Sequence, residues 1–564
     1  MPVSEALTQV EKDKLEINPD FDFREIAERP FDDLTPNEIG MFKWSGVYHQ
    51  LQKGYFMIRL RIPGGLLTAE QLERAGALAT QYGQDQLCIT TRQCLQYHWI
   101  RQQDIYKVIE GMREVGILTK NACGDVCRNV VSCSLQGVCP HEQANTEAMV
   151  MALADDPVLR DQLRNLPRKH KISVNGCATA CGQGLMNCQG WYAVTRTAAD
   201  GAEEQGWSFS AGGGLGALPH MGKMIFDWVP EDLVIPVARA AVESHNRFGN
   251  RRVRKYARLK IIVAEKGAKG YADCLFDLLR ENGVEGLDRI TVAEDCNPTL
   301  SPFPYSGEPV IAQRQDGLNT LRVMIARSEM SGAEAQRFAG WATALGGGRI
   351  MFTNRQNLEL RDVPTENVEQ LVDTIHEAGY RTDGHDFLPD IVACVGTTMC
   401  NLAVADTPNT YYRLVEAFGE DRELCDAVGP LRINMNGCPN SCAHHWIADI
   451  GLRGRRARSK EGSEEGFSLF VGGRLDAAGH IGEHVIDISS SDVVPTIFAL
   501  LDIYLDERHE GEDFGTYTRR IGGATLGELV QKQLEVVDQE SINMRNLHLR
   551  GTLSAVFAEA KGNA

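Results

Sequence analysis

The 564-residue chain has no apolar run of 18 residues, so no membrane span is expected. Its opening stretch, "MPVSEALTQVEKDKLEINPD", is acidic and has no apolar h-region, so it does not read as a secretory signal. Net positive charge is missing too. The balance is −18 with a pI of about 5.3, which argues against general nucleic-acid binding. No P-loop is present. The glycine-rich "SAGGGLGALP" reads as a turn and does not fit G-x-G-x-x-G between strand and helix. No flavin or nicotinamide domain is therefore expected. What the chain has in quantity is cysteine, 16 residues. Without a signal peptide, a cytoplasmic, reducing location is expected, where clustered cysteines more often bind metal or do redox chemistry than form disulfides.

Several of these cysteines are written twice. "NGCATAC" carries Cys177 and Cys181, and "NGCPNSC" carries Cys438 and Cys442, 261 residues on. Cys133 and Cys139 in "SCSLQGVC" match Cys394 and Cys400 in "ACVGTTMC" at the same offset of 261. "TTRQCLQ" returns as "TNRQNLE" at 263, and "GGGLGALPHMG" as "GGRLDAAGHIG" at 260. Such agreement points to a fused internal duplication. The length suggests roughly three domains at about 100–200 residues each.

The local pattern is mixed α/β. "YFMIRLRI" and "LCITT" read as strands. "TAEQLERAGALATQYG" reads as a helix with Thr68 as N-cap and Gly83 at its end. "RIMFTNRQNLELRDV" reads as strand, turn, strand, and "PTENVEQLVDTIHEAGY" as a helix from near Pro364 to near Gly379. Four thiolates brought together imply a soft-metal centre, zinc or iron–sulfur. Structural zinc usually pairs cysteines two to four residues apart, so the Cys-x5-Cys spacing disfavours it. Cys88, Cys188, Cys274, Cys296 and Cys425 read as small buried hydrophobes. Cys123 and Cys127 remain unassigned. A basic run, "RFGNRRVRKYARLK", reads either as solvated surface or as a site for an acidic partner or anionic cofactor.

"CVGTTMC" followed by "NGCPNSC", with "YFMIRLRIPGG", "TTRQ", "CRNV" and "LPRKHK", resembles the sirohaem-containing sulfite and nitrite reductase family over about residues 40–515. The resemblance implies an α+β, internally duplicated fold with pseudo-two-fold symmetry in a three-domain arrangement. The expected parts are a first ferredoxin-like half-domain with an N-terminal extension (1–118), a first sirohaem/cluster-type domain (119–257), a second ferredoxin-like half-domain with a linker (258–380), a second sirohaem/[4Fe–4S] domain (381–510) and a C-terminal extension (511–564). It also implies a [4Fe–4S] cluster on Cys394, Cys400, Cys438 and Cys442, with Cys442 bridging to sirohaem iron. Arg59, Arg128, Lys169 and Lys171 resemble the substrate-binding cations. Arg92, Gln93, Asn354, Arg355 and Gln356 are expected at the macrocycle. Arg61 reads as a strand residue facing solvent. The active centre would be composite, with the anion pocket from the first half and the cluster from the second.

The reaction implied is six-electron reduction of sulfite to sulfide, with nitrite reduction to ammonia as the alternative. Lys171 leans to sulfite, because plant-type nitrite reductases tend to have Asn there. The donor would be ferredoxin or a flavoprotein. A non-catalytic iron–sulfur carrier and a sirohaem-family monooxygenase of corrin biosynthesis are the rival readings. The departure from the family is the first set, Cys133, Cys139, Cys177 and Cys181. Its mirror cations are incomplete: Arg59 maps to Arg322 and Lys171 to Arg432, but Arg128 maps to Pro389 and Lys169 to Pro430. A second cluster, with or without a second sirohaem, and a metal-free relic of duplication are both open.

Overall fold

The computed structural model describes residues 7–198, 201–459 and 462–536. They divide into two compact units. One runs to Asp383 and includes Leu475–Gly479; the other takes Gly384–Arg474 and the chain from His480.

Two five-stranded sheets of the first unit are built on the same plan. One has the order Val47–His49, Tyr55–Arg59, Leu95–Arg101, Leu87–Ile89, Glu329–Met330. The other has Val310–Ala312, Leu318–Val323, Leu358–Pro364, Arg349–Phe352, Leu66–Thr68. Each sheet ends on a short strand borrowed from the other, through Glu329↔Cys88 and Arg349↔Thr68 pairings. The exchange covers edges that would otherwise expose unpaired backbone. The matching helices are Ala69–Tyr82 and Gly332–Leu345, and each opens with a capping box, Thr68/Gln71 and Ser331/Glu334. They cross where both chains are glycine: a Cβ on Gly76 would lie 2.5 Å from the Gly332 carbonyl oxygen. Apolar side chains of both halves, from Phe42 and Ile58 to Leu321 and Leu360, form one core.

The expected helix Thr68–Gly83 is present with its caps. The second, expected from Pro364, begins later. Pro364 closes a strand, a single 3-10 turn follows at Thr365–Asn367, and the α-helix is Val368–Glu377.

A six-stranded sheet completes the first unit: Thr291–Val292, Lys223–Pro230, Glu203–Ala211, Gln189–Thr197, Ile172–Asn175, Val131–Ser132. The helices Glu231–Phe248 and Leu259–Glu281 cover it and share its core. The expected boundary at 257/258 thus falls between two helices of one core. The second unit repeats the plan in five strands, Ile391–Ala393, Ile433–Asn436, Ile450–Ser459, Gly462–Val471 and Glu483–Ser489. Phe514–Ile521 and Gly523–Val536 place Tyr517, Leu526 and Val530 in that unit's core, so the chain after 510 continues this domain. Of the expected C-terminal extension, 537–564 lies outside the described residues. Among the described residues no helix is long and apolar enough to cross a membrane.

Candidate active site and cysteine centres

The "RKHK" motif works by alternation. His170 pairs with the "CRNV" segment through His170 N–H to Val126 O at 3.0 Å and Arg128 N–H to His170 O at 2.9 Å. In extended chain, residues i and i+2 share a face. Lys169 and Lys171 therefore face one way, beside Arg128, while His170 turns inward and is fully buried. There its Nδ1 meets Nδ1 of His245 at 3.2 Å, and Gln189 Nε2 lies 3.0 Å from its Nε2. His245 Nε2 lies 2.8 Å from the Ala257 carbonyl, so it carries the proton there. The rest follows: His245 Nδ1 accepts from His170 Nδ1–H, and His170 Nε2 accepts from Gln189. Both rings are neutral. Burial pushes His245 down to about 4 and His170 well below its ordinary range.

Cations crowd this side of the unit. Burial first, then Arg92, Lys169 and Arg258, hold the half-buried Lys171 well below the usual lysine range. Burial, against a smaller pull from Cys94 and with Arg128 and Arg59 adding to it, takes Arg92 down to about 9. Arg92 is held by Asn187 Oδ1 at 2.8 Å and by the Asn129 carbonyl, yet its Nε is buried without a partner. Arg128 is buried, its Nε donating to Gly124 O at 2.7 Å. Arg59 stands at its strand end opposite Gln96, whose amide oxygen, suitably turned, accepts from Nη2 at 2.6 Å. Like charges confined in low dielectric repel, and a bound anion relieves that repulsion.

Several residues of this region were not singled out from sequence. Asp125, buried, lies 3.1 Å from Lys14, 3.1 Å from Arg168 and 3.0 Å from Arg254. Burial alone would raise its pKa; the three cations more than reverse this and hold it below the usual carboxylate range. It ties the "CRNV" loop to the residue before Lys169. Arg258 donates to Cys188 Sγ at 3.2 Å, and its Nε is buried without a partner. Lys260, also buried, holds the glycine-rich turn through Gly214 O at 3.1 Å and Leu215 O at 3.0 Å.

The basic run is accordingly not a continuous exposed face. Arg247 pairs with Glu243 and Glu281, Arg251 with Glu11, and Arg254 with Asp125. Arg61 also departs from expectation. It is buried, donates to the Ala154 carbonyl and lies 3.6 Å from Asp155. Gln93 and Gln356 act structurally. Both have left-handed backbones, Gln93 Nε2 donates to Phe352 O at 3.0 Å, and Gln356 Nε2 donates to Ile89 O at 3.0 Å. They pin the two ferredoxin-like sheets reciprocally. Asn354 donates to Ser132 O at 3.1 Å and Cys181 O at 3.2 Å, beside the first cysteine set, and Arg355 next to it is half-buried.

The Asn-Gly-Cys repeat has a local cause. Asn175 Oδ1 accepts from Gly182 N–H at 2.9 Å and Asn436 Oδ1 from Ala443 N–H at 2.7 Å, closing each Cys-x3-Cys loop. A Cβ on Gly176 would lie 2.6 Å from Thr146 Oγ1, and one on Gly437 2.8 Å from Ala405 O. In the second unit Gly437 N–H donates to Cys394 Sγ at 3.1 Å and Leu402 N–H to Cys400 Sγ at 3.4 Å. Cys394, Cys400 and Cys438 each lie in the field of Cys442, which is exposed. Burial pushes the Cys394 thiol up to about 11, a protonated state that metal binding reverses. Among the described residues no three His, Cys, Asp or Glu converge closely enough to hold a single metal ion.

Soft thiols and a separate crowd of buried cations are the chemistry a redox metalloprotein for a small anion needs. The chain belongs to the nitrite and sulphite reductase family. The family's 4Fe-4S domain matches residues 123–279 and 384–537, and its ferredoxin-like half domain matches 48–115 and 311–378. The chain is 28% identical to "Sulfite reductase [ferredoxin] 1" of Mycolicibacterium paratuberculosis, over 92% of this chain and 95% of that one. It is 29% identical to the "Assimilatory ferredoxin-dependent nitrite reductase" of Haloferax mediterranei, over 89% of each. The solved structure of the Mycobacterium tuberculosis NirA protein matches with a TM-score of 0.84 at 27% identity, over 93% of this chain and 98% of that one. The protein is an oxidoreductase, a sulfite or nitrite reductase, whose cofactors are sirohaem and a [4Fe–4S] cluster. The residues fit both groups: four cysteines for the cluster, and for a carboxylate-rich macrocycle buried arginines, two of them with orphaned Nε atoms.

Proposed function

We propose that the protein reduces sulfite to hydrosulfide, consuming six electrons and seven protons and releasing three waters. Sirohaem iron would take the anion, and the cluster would supply electrons singly. In this reading Cys394, Cys400, Cys438 and Cys442 would hold the cluster, and Cys442 would also serve the sirohaem. Arg92 and Arg258 would hold macrocycle carboxylates, and Asn354 and Arg355 would serve the macrocycle as well. Arg59 and Arg128 bind sulfite oxygens, and Lys169 and Lys171 hold and donate protons to the departing oxygens. The observation that carries this is the grouping of Arg128, Lys169 and Lys171 by one backbone pairing, with the Lys171 proton loosely held. A non-catalytic carrier would need the cysteines but not these cations.

Nitrite is the second reading, supported by the name of the Haloferax relative. Ferredoxin is the proposed donor, on the names of both curated relatives. The test is steady-state kinetics with each anion, driven by reduced methyl viologen and then by ferredoxin. Sulfite should have the higher kcat/KM. Lys171→Asn should move the sulfite-to-nitrite ratio toward nitrite by about tenfold, roughly 1.4 kcal/mol of discrimination. An unchanged ratio would remove Lys171 as the selector.

A further inference from the structure

The first cysteine set is built like the second. Cys133, Cys139, Cys177 and Cys181 line one recess. In the second unit Leu402 N–H donates to Cys400 Sγ at 3.4 Å, from two residues on. In the first set Leu135 N–H donates to Cys133 Sγ at 3.4 Å, again from two residues on. Such N–H···S bonds steady thiolate ligands and tune cluster potential. Thr179 Oγ1 adds a bond to Cys181 Sγ at 2.9 Å, and Cys133 reaches Cys181 directly. The Asn175 lock and the close-packed Gly176 hold the first loop in the same form as Asn436 and Gly437 hold the second.

The surroundings differ. Ala180 N–H donates to Ser301 O at 2.9 Å and Ser301 N–H to Ala178 O at 3.0 Å, fastening the Cys-x3-Cys loop to the chain that follows. Phe303 and Tyr305 then wall the recess. Arg322, the mirror of Arg59, holds that segment down. Its Nη1 donates to the carbonyls of Tyr305 and Glu308, both at 3.0 Å, and its guanidinium lies 5.2 Å over the Phe303 ring.

We propose that these four cysteines hold a second [4Fe–4S] cluster, walled on one side by Phe303 and Tyr305. The cluster takes one electron from a low-potential donor and passes one on, with no bond made or broken. This goes beyond the reductase reading and does not depend on which anion is reduced.

The test is iron, acid-labile sulfide and sirohaem in the full chain purified without oxygen. About nine irons and eight sulfides per sirohaem are expected; about five and four would overturn the proposal, as would zinc in place of four irons. About eight irons with no sirohaem would support this site while overturning the reductase reading. Cys177→Ser should lose about four irons and keep the sirohaem absorbance. The wild-type count decides the matter if that variant does not fold.

Discussion

The two halves keep the same cysteine scaffold and part company in what surrounds it. Both have the Cys-x5-Cys, the Asn-Gly-Cys loop and an amide-to-sulfur bond from two residues on. Only the first offers the cation set. Where the first reads Arg128 and Lys169, the second has Pro389 and Pro430. Arg322 is spent on backbone carbonyls, and Arg432 is paired with Asp449 at 3.1 Å. The buried polar pair is one-sided as well: the mirror of His170 is Leu431, fully buried in an apolar core. The two halves thus share a cysteine scaffold and differ in the cations.

Substitutions at mirrored positions break this comparison most sharply. Cys438→Ser should abolish anion reduction, by about a thousandfold or more, because the assigned catalytic cluster loses a ligand. Activity within tenfold of wild type would refute that assignment. Next comes Lys171→Ala, expected to lower kcat about a hundredfold with the sirohaem absorbance intact, as for loss of a proton donor. Arg432→Ala should stay within about twofold. Equal effects would mean that the halves are not functionally distinct.

Much of this was legible in the sequence. The offsets near 261 exposed the duplication, and capping residues gave the helix at Ala69–Tyr82. The cysteine sets and the "RKHK" cations could be read because short spacing places them together. Gln93 and Gln356 misled because a motif shared by both halves can serve the join between them as well as a cofactor. Asp125 and Arg258 were hidden because their partners lie far along the chain: Lys14 and Arg254 for the one, Cys188 for the other. The basic run looked like a docking face because its acidic partners, Glu11 and Asp125, are remote in sequence.

Smaller effects sharpen the comparison through stability. Asp125→Ala strands three cations around a buried gap and should cost about 3–5 kcal/mol in chemical denaturation. Alanine at its mirror, the half-buried Asp386, should cost less. The His170–His245 pair makes the first unit sensitive to acid. Both folded-state pKa values lie below the ordinary 6.5 of histidine, so the neutral pair's stabilisation is fully present above about pH 6.5. It is lost as pH falls toward about 4, by about 3 kcal/mol for His245 alone. Denaturation midpoints at pH 7 and pH 5 check this, and His245→Leu should flatten the difference.

The most direct measurement is sirohaem content together with sulfide formed per sulfite consumed, using the full chain and reduced methyl viologen without oxygen. One sirohaem per chain and one sulfide per sulfite are the expected result. A protein fully loaded with iron that contains no sirohaem and reduces neither sulfite nor nitrite would contradict the assignment of the first unit's cations to an anion-reducing centre.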